Sequence, residues 1–310
     1  MSVNVLFAGR PDRWAEYQPL LDAALAREGI DAHVSPEIAP EEVDYIVYAP
    51  NGPVQDFTSY TRAKAVLSLW AGVEKIVDNE TLTQPLTRMV DDGLRRGMVE
   101  WVTGHVLRHH LGMDAHIVNP DCVWKQGAPP LAPDRPVTIL GLGALGIACA
   151  EALMGLGFPV TGWSRGPKDV PGVRCLAGNA GLDAALEGAE IVVLLLPQTP
   201  ETENTLDARR LALLPRGAVI LNPGRGPLID DDALLAALDE GHIGHATLDT
   251  FRVEPLPDDH PYWRHPRVTV TPHIASDTRA GTAADVIAEN IRRSEAGEPL
   301  LHLVNRTLGY

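Results

Sequence analysis

Gly141-Leu-Gly143-Ala-Leu-Gly146 follows the apolar run Val137–Leu140 and opens a helical stretch that starts at Ala144. A glycine-rich turn between a buried strand and a helix narrows what can surround it. The first glycine permits the tight turn, the second lets backbone approach a pyrophosphate, and the third packs the helix against the strand. The helix N-terminus then points its N–H groups at the phosphates. The motif is short, and glycines often serve plain turns. Its weight comes from register, since Pro159–Trp163 reads as the next strand at the expected distance. Gly141, Gly143, Ala144, Leu145 and Gly146 are therefore expected to line a dinucleotide.

NAD-binding versions of this unit end the second strand with an Asp or Glu for the ribose 2′-hydroxyl, about 20 residues on. Here that place reads Gly162-Trp163-Ser164-Arg165-Gly166-Pro167-Lys168, with no carboxylate. Ser164, Arg165 and Lys168 instead suit a 2′-phosphate, which an arginine can grip through paired charge-assisted bonds. The expected cofactor is NADP(H), with Trp163 counted among its contacts.

The same alternation of strand and helix runs through both halves. Val3–Ala8, Ala32–Ser35, Val43–Ala49 and Ala65–Trp70 read as strands, and Trp14–Glu28 as a helix closed by Gly29. A helix is expected over Gly97–Gly112. Pro120 to Pro136 holds five prolines and reads as a linker or arm. After Val137, strands are expected at Val137–Leu140, Pro159–Trp163, Ile191–Leu196, Val219–Asn222, Ala246–Asp249 and Val268–Thr271. Helices are expected at Ala144–Leu156, Asp230–Glu240 and Thr278 to about Ala296. Strand–helix alternation implies parallel sheets covered by helices, and 310 residues exceed what one core usually fills. The expected fold class is α/β, with two doubly wound parallel-sheet domains and a cleft between them. Residues 1–97 with 280–310 form the expected substrate domain, and 98–279 the expected Rossmann cofactor domain.

Composition excludes several partners. The 41 acidic and 26 basic side chains give a net charge of −15, which repels a phosphate backbone, so no nucleic acid is expected. The longest apolar run, Ile191–Leu196, is too short for a bilayer. Three cysteines without paired spacing, and a start lacking a signal-like segment, point to a cytoplasmic protein.

Three segments at expected strand ends carry chemistry: Asn222-Pro223-Gly224-Arg225-Gly226, Asp249-Thr-Phe-Arg-Val-Glu254-Pro255 and Thr271-Pro-His273-Ile-Ala275. Ligands of open α/β sheets sit beyond the carboxyl ends of the strands. Hydride delivery to a 2-keto acid needs an arginine for the carboxylate and keto oxygen, and a histidine to protonate that oxygen. A carboxylate beside the histidine orients and stabilises its charged ring.

From Val137 to about Asp277 the chain resembles the D-isomer-specific 2-hydroxyacid dehydrogenase family, through these motifs, the glycine turn and Leu195-Leu196-Pro197-Gln198-Thr-Pro-Glu-Thr202. The resemblance implies Arg225, Glu254 and His273 as the catalytic set, with Arg225 also binding substrate. It places Asp249 at the nicotinamide carboxamide, and Leu196, Pro197, Gln198, Thr202, Asn222, Pro223, Gly224, His273 and Ala275 along the cofactor. Ser68-Leu-Trp70-Ala71-Gly72-Val73 is similar to the family's substrate-carboxylate loop, with Trp70, Ala71 and Gly72 as contacts. The resemblance implies a flavodoxin-like substrate domain and a homodimer paired through an arm at Asp121–Pro133 that exposes Trp124. The short chain, this loop and Ser164-Arg165 are most similar to the family's glyoxylate- and hydroxypyruvate-reducing branch. The implied activity is NADPH-dependent reduction of small 2-keto acids.

Two other readings compete: a cofactor-sensing regulator of the same fold, and an NAD-linked formate or phosphite enzyme. Intact Arg225, Glu254 and His273 count against the first, and the missing cofactor carboxylate against the second. His105 and His109 have the spacing of a helical metal pair, but no third ligand lies nearby in sequence and no metal is expected.

Overall fold

Tyr45–Tyr48, Ala65–Ser68, Val137–Leu140 and Ile191–Leu194 are buried at every position, the pattern of parallel strands covered on both faces. The structure is a computed structural model and describes residues 2–117, 121–124 and 126–309. It divides into two compact units, Met1–Leu94 with Asp277–Tyr310, and Arg95–Ser276.

The first unit holds β1 (Val3–Ala8), β2 (Ala32–Ser35), β3 (Tyr45–Tyr48), β4 (Ala65–Ser68) and β5 (Leu86–Thr87) in one sheet. Its order is β2-β1-β3-β4-β5, and every pairing is parallel. This is the flavodoxin-like order. One face packs on Trp14–Arg27 and Ala280–Glu295, whose Leu21, Leu25, Ala284, Ile287 and Ile291 join Val5, Phe7 and Leu67 in one core. The other face carries a second core around Ile46, Tyr48, Val66 and Phe57.

The second unit holds β6 (Val137–Leu140), β7 (Val160–Ser164), β8 (Arg174–Ala177), β9 (Ile191–Leu194), β10 (Ala218–Asn222), β11 (Ile243–Leu248) and β12 (Val268–Val270). Their order is β12-β11-β10-β9-β6-β7-β8, all parallel. Counted from β6, this is the Rossmann order with a seventh strand at the edge. The direction of winding reverses between β6 and β9, where such sheets bind ligands.

Differences from the sequence expectations have local causes. The helix expected from Gly97 begins at Asp92, because Asp91 Oδ1 accepts the Leu94 amide at 2.9 Å and caps it. The last helix begins at Ala280 rather than Thr278, since the Thr278 hydroxyl donates to Leu69 O at 2.6 Å instead. β5 and β8 escaped notice: one has two residues, and the other exposes Arg174 while only half-burying its remainder. Within the expected arm, Pro120 and Lys125 lie outside the described residues. Among the described residues no helix is long and apolar enough to cross a membrane.

Candidate active site at the carboxyl edge of the second sheet

At the end of β6, Gly141 takes a φ of +115°, and a side chain there would strike the Leu195 carbonyl. A Cβ at Gly146 would overlap the Gly141 carbonyl, so the third glycine brings helix Ala144–Gly155 onto the turn. Gly143 caps that helix with no side-chain hydrogen bond, and its first turn contains no acidic residue. Open space lies where a Gly143 side chain would be. Exposed amides, a favourable helix dipole and room for close approach fit a pyrophosphate. Ala144 is exposed and Leu145 half-buried beside them.

The β7 end is partly as expected. Ser164 is half-buried, with its hydroxyl donating to Gly166 O at 2.8 Å, and Arg165 and Lys168 are exposed. Trp163 points elsewhere: its ring lies in the core and its Nε1 donates to Gly178 O at 2.9 Å. Its side chain is committed to packing. After β9, Leu196 is buried, while Pro197 is half-buried and Gln198 exposed. The Thr202 hydroxyl donates to Pro197 O at 2.7 Å and accepts the Thr199 amide at 2.8 Å, closing this turn. Glu201 in the same turn sits below its ordinary carboxyl pKa. A hydrogen bond from Thr199 lowers it most, and its own amide and the Arg165 charge add to this against slight burial. The β7 turn and the 197–202 turn thus share one neighbourhood.

The catalytic candidates converge at the ends of β10, β11 and β12. Buried Asn222 shapes the first turn, with Nδ2 donating to Arg225 O at 2.8 Å and Oδ1 accepting the Gly224 amide at 3.2 Å. Pro223 and Gly224 are buried in that turn, and half-buried Arg225 donates from Nη1 to Gly224 O at 2.7 Å. A side chain at Gly226 would collide with the Phe251 backbone, so the glycine lets the Arg225 turn meet the β11 loop. In that loop Glu254 Oε1 accepts the Phe251 amide at 2.9 Å, while Oε2 meets His273 Nδ1 at 2.8 Å. Burial pushes the Glu254 carboxyl up. Hydrogen bonds from His273 and Phe251, with the charges of His273 and Arg225, more than offset it and hold it below its ordinary value. The His273 side chain is 46% exposed, and with Nδ1 engaged its Nε2 is the nitrogen left to face a substrate.

Asp249, expected at the carboxamide, is wholly buried. Oδ1 accepts from the Thr271 hydroxyl at 2.6 Å and the Ile274 amide at 2.9 Å, and Oδ2 accepts the Ala275 amide at 2.9 Å. Sequence reasoning missed Arg252, although it stands inside the quoted Asp249–Pro255 motif. It bonds Asn204 and Ile229 O and pairs with Glu203 and Asp231, knitting three turns together. An arginine amid a motif of small and acidic residues was the available signal.

Trp70, Ala71 and Gly72 belong to the first unit and are half-buried. The Trp70 amide is held by Ser68 Oγ at 3.1 Å, and Lys75 Nζ stands 5.7 Å from its ring centroid. Among the described residues His105 does not join His109 in a metal-type cluster; the groups that gather around His109 are others. His109, Asp114 and His245 place one ligand atom each within 4.8 Å of one another. Arg108 Nε holds Asp114 Oδ1 at 2.6 Å, so a guanidinium already supplies the cation there.

The sequence model of the D-isomer specific 2-hydroxyacid dehydrogenase NAD binding domain matches residues 105–275. A glyoxylate/hydroxypyruvate reductase A of Serratia proteamaculans is 40% identical over 276 residues, covering 86% of this chain and 88% of the relative. Among solved structures, a D-isomer specific 2-hydroxyacid dehydrogenase of Xanthobacter autotrophicus Py2, in complex with NADPH and MES, superposes with a TM-score of 0.92. It shares 41% identity, and all of both chains is covered. An NADPH-dependent glyoxylate/hydroxypyruvate reductase of Sinorhizobium meliloti, in complex with NADP and sulfate, gives a TM-score of 0.85 at 34% identity, covering 100% of this chain and 99% of that one. With the family's model matching more than half of its length and a close relative along most of it, the chain belongs to the D-isomer specific 2-hydroxyacid dehydrogenases, and is an oxidoreductase built on that family's dinucleotide-binding domain.

Proposed function

We propose that this chain reduces small 2-keto acids, glyoxylate, hydroxypyruvate or a similar compound, to 2-hydroxy acids with NADPH. The observation that carries the reading is the Glu254–His273 pair at 2.8 Å beside Arg225, all at one sheet edge. NADPH supplies the hydride when bound, held by the amides of the Gly141–Gly146 turn and by Ser164, Arg165 and Lys168 around the 2′-phosphate. His273 gives the keto oxygen its proton from Nε2. Glu254 fixes the ring through Nδ1 and stabilises its charged form. Arg225 binds the substrate carboxylate and polarises the keto group. Trp70, Ala71 and Gly72 are proposed substrate contacts on the family resemblance. The NADPH and NADP bound in the two solved relatives support the choice of phosphorylated cofactor.

Steady-state NADPH oxidation with glyoxylate, hydroxypyruvate, pyruvate, 2-ketoisocaproate and phenylpyruvate tests this reading. Turnover with the smallest acids is expected. No turnover on any of them would leave a cofactor-sensing regulator as the better account. The proposal extends to a cytoplasmic homodimer. Leu111, Met113, Ile117, Val123, Trp124 and Leu131 are 37–89% exposed within one short stretch, an apolar run suited to an isologous partner. Light scattering near the 33.4 kDa monomer mass would remove the dimer.

A further inference from the structure

Four hydrogen bonds tie the segment Thr271–Ala275 to one residue. Asp249 O accepts the His273 amide at 2.8 Å, and the Asp249 carboxylate accepts from Thr271 Oγ1, Ile274 N and Ala275 N at 2.6, 2.9 and 2.9 Å. Asp249 is itself anchored, because its amide donates to Asn222 O at 3.0 Å. It has no exposed surface.

The segment it holds needs holding. His273 adopts a φ of +54°, a left-handed conformation that residues with a Cβ rarely take. Such a conformation persists only where the surroundings over-determine it. The His273 ring is hydrogen-bonded through Nδ1 to Glu254, and a ring held at one nitrogen can still swing with its backbone. The amides on either side of that backbone are fixed by Asp249.

We propose that Asp249 is a positioning residue that acts through His273, setting the backbone from which the ring meets Glu254 on one side and substrate on the other. The inference rests on His273 being the proton donor. It divides the work of two carboxylates on the β11 loop: Glu254 holds the ring and Asp249 holds the main chain. Both Asp249 oxygens receive hydrogens from the loop, so an amide at this position would turn an N–H group toward one of those donors. The loop would lose at least one bond and gain a repulsive contact.

Asp249→Asn is the test, studied alone and combined with His273→Ala. A displacement on the order of 1 Å at a reacting group costs about 100-fold, so kcat should fall by about 10- to 100-fold in the single variant. The NADPH dissociation constant, read by fluorescence quenching, should stay within about twofold. In the His273→Ala background the substitution should cost nothing more, because the residue through which Asp249 acts is gone. Thr271→Val removes one of the four bonds with little change of shape. It should lower kcat by about 3- to 10-fold, again with no further cost in the His273→Ala background. It carries the same test if Asp249→Asn does not fold. Losses that multiply in the double variants would overturn the positioning role, as would a tenfold weakening of NADPH with kcat kept. Full turnover by His273→Ala would instead bring down the proton-donor reading on which the inference stands.

Discussion

The second unit sets histidines in two surroundings, one inside β11 against a helix and one beyond the end of β12. In mid-strand, His245 stacks on His109 with ring centroids 4.8 Å apart, and each ring meets a threonine hydroxyl at 2.9 Å, Thr269 and Thr247 respectively. Burial is the main force on both. It pushes His109 down to about 3 and His245 to about 4, helped by the neighbouring Arg108 charge. Just past the strand ends, His273 is half-exposed and bonded to a carboxylate. The same side chain is kept neutral by burial in one place and set half-exposed against a carboxylate in the other. The difference lies in the partner and the access to solvent, not in the residue.

The sharpest way to break this comparison is to remove the exposed ring. His273→Ala should lower kcat by about 10²–10⁴-fold, the usual worth of a general acid, with NADPH affinity nearly unchanged. Wild-type turnover in that variant would mean that the paired, accessible histidine is not the acid. Glu254→Gln keeps the size of the side chain but withdraws the charge facing Nδ1. A drop of about 10- to 100-fold in kcat is expected. A change in KM alone would show that the carboxylate serves binding rather than the proton.

Much of this site was legible because chemistry-bearing residues sit at strand ends, in short motifs whose order survives folding. Arg225, Glu254 and His273 could be singled out as candidates for that reason. Val3–Ala8 and Val137–Leu140 were also plain, since buried parallel strands read as largely apolar runs, here interrupted only by Asn4 and Thr138. The use of Asp249 was not legible. A carboxylate in a motif looks the same whether it faces a ligand or grips a loop 22 to 26 residues downstream. The His109–His245 stack was hidden for a similar reason, because its members meet only when the helix Asp92–His110 packs on β11.

Cofactor choice sharpens the comparison from outside, since the proposed 2′-phosphate contacts lie at the end of β7, away from either histidine setting. One charge-assisted bond to a 2′-phosphate is worth about 1.5–3 kcal/mol, or roughly 10- to 150-fold. NADPH should exceed NADH in kcat/KM by at least about tenfold. Arg165→Ala should erode that margin by weakening NADPH, and leave kcat with saturating cofactor unchanged. Equal harm to both cofactors would move Arg165 out of the 2′-phosphate site.

The smallest expected effect tests the buried pair. An unfolded histidine titrates near 6.5, above the folded values of about 3 and 4 for His109 and His245. Between these limits the unfolded chain binds more protons than the folded one, so stability rises with pH. The contribution is complete above about pH 6.5 and is lost progressively as pH falls toward 4. Arg108, Asp114, His105 and His265 also act on these rings, and both rings are partly exposed, so the ideal linkage value must be discounted. About 1–2 kcal/mol lost between pH 7 and pH 5 is a reasonable scale, equivalent to a Tm drop of about 3–6 °C. Other groups titrate in the same range, so the informative quantity is a difference between proteins. His109→Gln/His245→Gln keeps a hydrogen-bonding side chain near each threonine hydroxyl and cannot take up a proton. Its Tm should fall less than that of the parent over the same interval, in calorimetry at matched ionic strength. Identical slopes would show that the stacked histidines His109 and His245 are not held neutral by burial.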